Sequence, residues 1–124
     1  MESSIINLRD ALSELVESSY LSFAEVKGKK NIMGVYLIYD QFDGLMYIGS
    51  TNKFNIRFGT DLRHESTHTL MKKLILHEVH IDRATAQNHF SNHYKYKVHI
   101  CNDKREAEAL EHLAIWILNP KYNK

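Results

Sequence analysis

The stretch from Gly34 to Gly49 constrains the fold of this chain more than any other. Val35 to Tyr39 and Leu45 to Ile48 are rich in β-branched and aromatic residues, and Asp43-Gly44 lies between them as a turn signal. The segment predicts a β-hairpin. A third strand is expected at Tyr94 to Cys101. There Tyr94, Tyr96, Val98 and Ile100 alternate with Lys95, Lys97, His99 and Cys101, so that one face is packed and the other is wetter.

Helices are expected around this sheet. Residues 4 to about 20 read as an amphipathic helix, with Ile5, Leu8, Leu12, Leu15 and Val16 at helical spacing and Ser3 or Ser4 as the cap. Ser22-Phe23-Ala24-Glu25 has the form of a capping box for a short second turn that ends near Gly28. Asn52 is placed to cap a helix holding Phe54, Arg57 and Phe58, with Gly59 near its end. Thr67 is placed to cap another, with Leu70, Leu74, Ile75 and Val79 as its apolar stripe. Residues 82 to 92 show no clear period and read as loop. Asp103 and Glu106 predict a capping box for a final helix that Pro120 ends. The expected fold class is α+β, a small three-stranded antiparallel sheet flanked by helices. Residues 1–33 form an N-terminal helical extension and residues 34–124 the core.

Composition sets the outer bounds. The 124 residues suffice for one domain, and 44% hydrophobic with 25% charged residues fits an ordinary globule. No apolar run approaches the roughly 18 residues of a membrane helix, so no membrane partner is expected. Met1-Glu2-Ser3-Ser4 does not resemble a signal peptide. Cys101 is the only cysteine, which excludes an internal disulfide and a zinc cluster of the finger type and points to a reducing, cytoplasmic setting. The net charge of +1 gives no bulk support to nucleic-acid binding. Local basic groups are present at Lys27, Lys29 and Lys30, at Arg57 and Arg63, at Lys72 and Lys73, and at Lys95 and Lys97. Their ordinary reading is a solvated surface.

Three features carry potential chemistry. In the final helix Ala107, Leu110, Ala114, Ile117 and Leu118 define an apolar stripe, and Glu111 falls inside it. A buried carboxylate is costly, so it pairs with a lysine or arginine or holds a metal. In the hairpin, Tyr36 and Tyr47 are directly opposite if the strands close around positions 41 and 42. Their opposite parity keeps them on one face in any register of odd residue sum, unless a one-residue bulge intervenes. Such a pair serves as core filling or as two phenols at a site. Arg57, ten residues after Tyr47, is a surface residue or a phosphate grip.

Taken together, Gly34-Val35-Tyr36 and Tyr47-Ile48-Gly49 resemble the two triplets that name the GIY-YIG nuclease family. The resemblance runs on through Ser50-Thr51-Asn52, Arg57, Glu111 and Pro120-Lys121-Tyr122-Asn123. The step of ten residues from Tyr47 to Arg57 and of twelve from Glu111 to Asn123 is similar to that in the N-terminal domain of the bacterial excision-repair incision nuclease. Phage intron homing nucleases look similar around the tyrosines and the arginine. Two positions depart from the pattern. Asp61 stands where many members have a histidine, with His64 and His68 nearby, and Ser50 stands where many have lysine. His68 resembles a histidine at the start of the next helix in the phage enzymes.

The resemblance implies a DNA endonuclease that hydrolyses phosphodiester bonds with one divalent metal, Mg2+, with Mn2+ as a substitute. It gives Glu111 the metal, Arg57 the charge on the phosphate, Tyr36 or Tyr47 and His68 the proton transfers, and Asn123 the orientation of nearby groups. Ser50, Asn52, Arg63, Lys72 and Lys73 are the expected nucleic-acid contacts. A free phenol titrates near pH 10, so a tyrosine base at neutral pH asks the site for roughly 4 kcal/mol, help that a metal and an arginine can give. The N-terminal helix is expected to pack on the core or to mediate a homodimer. The competing readings are a nucleic-acid-binding module that keeps the fold without cleavage, favoured by Asp61, and a protein-interaction domain, favoured by the low net charge.

Overall fold

A computed structural model describes residues 2–29, 32–54, 58, 70, 73, 74 and 82–123. The expected helices around Arg57 and after Thr67 therefore fall largely outside the described residues. Of their apolar positions, Phe54, Phe58, Leu70 and Leu74 are seen, all buried in the core.

Three strands, β1 (Gly34–Tyr39), β2 (Leu45–Thr51) and β3 (Lys95–Ile100), form one antiparallel sheet in the order β2-β1-β3. The central strand β1 is apolar without alternation and is buried from Gly34 to Ile38. A strand covered on both faces has that pattern. On one face Tyr36, Ile38 and Tyr96 join Phe54, Phe58, Leu70, Leu74 and Phe90 in an aromatic-rich core. On the other, Val35, Leu37 and Ile48 pack against helices α1 (Glu2–Glu17) and α4 (Lys104–Leu118) through Ala11, Leu12, Leu15, Ala107, Leu110 and Ala114. The N-terminal helix thus shares a core with the hairpin.

The hairpin turns through Asp40 to Gly44. The Asp40 carboxylate accepts from the N–H groups of Phe42 (2.8 Å) and Gly44 (2.9 Å), and Asp43, not Gly44, takes the left-handed conformation at φ 67°. The register shifts between Ile38 and Tyr39, which leaves Met46 as the extra residue of a bulge. This corrects the symmetric closure around 41 and 42. Tyr36 pairs with Gly49 and Tyr47 with Ile38, so the tyrosines are diagonal neighbours and not directly opposite. They still share a face, because the bulge lies on the turn side of Tyr47.

Both sheet edges are covered. Leu21 bridges Tyr96 on β3, its N–H donating to Tyr96 O at 2.6 Å and its carbonyl accepting from Tyr96 N at 3.1 Å. On β2, the carbonyl of Leu45 accepts from Lys121 N (3.3 Å) and that of Met46 from Tyr122 N (2.8 Å).

The helix ends follow side-chain chemistry. Helix α1 starts at Glu2, so Ser3 and Ser4 lie inside it, and it stops at Glu17, short of residue 20. Its last carbonyls are taken by side chains. Ser18 donates to Leu15 O at 2.7 Å and the Lys97 ammonium donates to Val16 O. Helix α2 (Phe23–Lys27) carries the full capping box of Ser22 and Glu25 and ends at Gly28. Residues 82–92, expected as loop, hold helix α3 (Arg83–Asn92). Among its described side chains Ala86 and Phe90 are the buried ones, which is too narrow a stripe to show a period. Its start is marked by Asp82, whose carboxylate accepts from Thr85 N at 2.8 Å. In α4, Asp103 caps Glu106 N at 2.8 Å, but Glu106 reaches back to Asn102 N at 3.3 Å, one residue before the box position. The stripe of α4 runs along the i, i+4 row of Leu110, Ala114 and Leu118, and Ile117 lies on its solvent flank, 55% exposed.

Helix α4 closes on Asn119, which is left-handed at φ 48° and donates its N–H to Ile115 O, with buried Pro120 behind it. Asn119→Ala is expected to cost about 1 kcal/mol in urea unfolding, the strain of a β-carbon in that region, and Asn119→Gly to be close to neutral.

Candidate active site along the second strand

Strand β2 carries different chemistry on its two faces. Toward the aromatic core, Tyr36 lies across Gly49. A β-carbon on Gly49 would stand 2.5 Å from Tyr36 Cζ and closer still to its hydroxyl. Only glycine admits the ring. The ring of Tyr36 is then gripped edge-on by Phe58 (5.1 Å) and Phe54 (6.3 Å), with Tyr47 tilted at 6.4 Å. Tyr36 is 2% exposed, whereas Tyr47 is half-buried, so the second phenol lies nearer water.

Toward α4, Ser50 is next in line. Its hydroxyl donates to Glu111 Oε1 at 2.5 Å, and both residues are half-buried. Among the described residues this hydroxyl, not a lysine or arginine, is the partner of the Glu111 carboxylate. The result is a pair of hard oxygen donors at the end of β2. Ser50 therefore gives the glutamate a neutral neighbour.

The C-terminal tail holds β2 between these faces. The Asn123 amide forms two hydrogen bonds with the backbone of Ile48, accepting from its N–H and donating to its carbonyl, each at 2.8 Å. Asn123 thus grips the middle residue of the Tyr47-Ile48-Gly49 triplet, and its effect on any nearby group runs through the strand. The Lys73 ammonium donates to the Tyr122 carbonyl at 2.6 Å and secures the tail from the other side.

The structure therefore brings Tyr36 to Tyr47, Ser50 to Glu111, and Asn123 to the strand between. Of the expected nucleic-acid contacts, Ser50 is spent on Glu111 and Lys73 on the tail. Asn52 is exposed in the bend after β2, where it is the Thr51 hydroxyl that accepts from Lys53 N at 3.0 Å. Arg57, Asp61, Arg63, His64, His68 and Lys72 lie outside the described residues. Lys95 and Lys97 sit over the Tyr20 ring at 4.7 and 4.8 Å, and Lys95 also pairs with Asp43. Sequence reasoning missed the seat that Gly49 provides for Tyr36; the glycine of the second triplet was the available sign. It also missed the backbone role of the Asn123 amide, which spacing cannot reveal. Burial and the nearby Glu106 push the Cys101 thiol up to about 11, so it is no nucleophile at neutral pH.

Two stability effects follow. Gly49→Ala is expected to cost about 2 kcal/mol or more, because the buried Tyr36 ring has to move. Asn123→Ala should cost about 2 kcal/mol for its two backbone hydrogen bonds, and Asn123→Asp should not restore it, since a carboxylate cannot donate to Ile48 O. Chemical denaturation of the three variants measures both.

The family model of the GIY-YIG catalytic domain matches residues 32–123. No curated protein and no solved structure matches the chain significantly. The family match takes in the hairpin, the third strand, the last helix and the tail, so the triplets are not an isolated likeness, and the chain belongs to the GIY-YIG nuclease family.

Proposed function

We propose that this protein is a metal-dependent endonuclease that hydrolyses phosphodiester bonds in DNA. The observation that carries the reading is the Ser50–Glu111 pair at the end of β2, on the strand that also holds Tyr47. A half-buried carboxylate beside a hydroxyl suits Mg2+, which takes oxygen ligands and keeps part of its water shell, and Mn2+ suits it for the same reason. Glu111 would hold the ion, with Ser50 orienting its carboxylate. When bound, the ion neutralises charge on the phosphate and on the leaving oxygen.

The remaining roles belong to the chain. Tyr47 is the phenol nearer water, so it takes the part of accepting the proton of the attacking water. Tyr36, buried against Gly49, Phe54 and Phe58, fixes the position of Tyr47. Asn123 positions the strand between Tyr47 and Ser50. Arg57 is given the phosphate charge and His68 the onward proton on the strength of the family resemblance alone. Arg63, Lys72 and Asn52 are the candidate contacts to DNA. The chain acts inside the cell on this reading.

The test is cleavage of supercoiled plasmid, single-stranded DNA and RNA in Mg2+, in Mn2+ and in a chelator. Glu111→Ala is expected to lower the metal-dependent rate at least about 100-fold, and Tyr47→Phe by a similar factor. Ser50→Ala should lower it about 5- to 10-fold, the loss of one hydrogen bond. Cleavage by Glu111→Ala at the wild-type rate would refute the ligand assignment. Salt-sensitive DNA binding without cleavage in either metal would identify a binding module instead.

A further inference from the structure

Three metal-ligating side chains meet on the α1–α4 side of the sheet, at β3, across Val35 from Ser50. His99 and Cys101 are two residues apart at the end of β3 and project to the same side. Glu106, in the first turn of α4, lies over them. One donor atom from each of the three falls within 4.8 Å of the others. The arrangement is held by the backbone. Cys101 N donates to Met33 O at 2.8 Å, and the Asp103 cap fixes the turn that carries Glu106. From α1, Glu14 reaches to 3.8 Å from His99 Nδ1.

We propose that His99, Cys101 and Glu106 form a second cation site, selective for Zn2+ over Mg2+. An imidazole, a thiol and a carboxylate are a nitrogen, sulfur and oxygen set, which suits zinc and is foreign to magnesium and calcium. In a tetrahedral zinc shell the donor atoms stand about 3.5 Å apart, so side-chain rotation of about 1 Å closes the observed cluster. Binding displaces the Cys101 proton, as it does for any thiolate ligand. Glu14 completes the site as a fourth ligand or as the carboxylate behind the imidazole, and both uses strengthen binding. The site joins α1, which precedes the family match, to β3 and α4 within it. Its role is therefore to fasten the N-terminal helix to the nuclease core.

The full chain, stripped of metal by a chelator, is titrated with Co2+ and then with Zn2+. One equivalent of cobalt should give tetrahedral visible bands and a thiolate-to-cobalt charge-transfer band. One equivalent of zinc should abolish both, and a large excess of Mg2+ should leave them intact. Cys101→Ser should remove the charge-transfer band, and His99→Ala and Glu106→Gln should weaken zinc binding at least 10-fold. Glu14→Gln should weaken it about 10-fold and reduce the rise in melting temperature that zinc gives the wild type. Glu111→Ala should bind zinc as the wild type does, whatever its effect on cleavage. Circular dichroism confirms that each variant is folded, and Glu106→Gln, at a half-buried position, serves if the Cys101 variant is not. A wild-type titration without a thiolate band, or zinc binding unchanged in Glu106→Gln and His99→Ala, overturns the proposal.

Discussion

Everything on the second strand is arranged by the contact of the Tyr36 ring with the bare backbone of Gly49. The ring needs a partner position without a side chain, and the register supplies one only when position 36 faces position 49. That register places Tyr47 beside Tyr36 on the aromatic face and turns Ser50 to the other, toward α4. A slip of one residue would reverse each of these side chains at once. The bulge at Met46 lies on the turn side of Tyr47, so it leaves the register between Tyr36 and Gly49 and between Ile38 and Tyr47 unbroken.

Elements whose signal is local were legible in the sequence. The hairpin, the third strand, the Ser22–Glu25 box and the final helix follow from alternation, turn residues and caps, which act within a few residues. Helix α3 was not legible because, among its described side chains, Ala86 and Phe90 are the buried ones, and one pair does not make a period. Asp43-Gly44 marked the turn, but not that Asp43 would take the left-handed conformation, which the Asp40 side chain fixes by organising the loop around it. At the site, Glu111 stood out as a carboxylate in an apolar stripe. Its partner did not, since Ser50 lies 61 residues away and only the folded register brings it there. The Asn123 grip on Ile48 spans 75 residues and is invisible for the same reason.

The tail is tied to β2, the strand whose two faces differ. The strand has a neighbour on one side only, and its phenol and its carboxylate partner lie above and below it. Asn123, Tyr122 and Lys121 bond to the backbone of that strand. They act as a neighbouring strand would, and the Lys73 ammonium bonds the Tyr122 carbonyl of the same tail.

The N-terminal helix belongs to the same balance. The face of β1 that carries Val35 and Leu37 is closed by α4 on one side and by Ala11, Leu12 and Leu15 of α1 on the other. Helix α4 covers that face through buried Ala107, Leu110 and Ala114 with half-buried Leu113, Ile115 and Leu118 beside them, and α1 supplies the rest of the cover. The wider family match begins at residue 32, yet the hydrophobic core begins in α1. The position of Glu111 depends on how α4 sits on the sheet, and α1 is one of the surfaces against which α4 is set. The extension is thus physically part of the nuclease core, and the placement of the carboxylate is a property of both helices together.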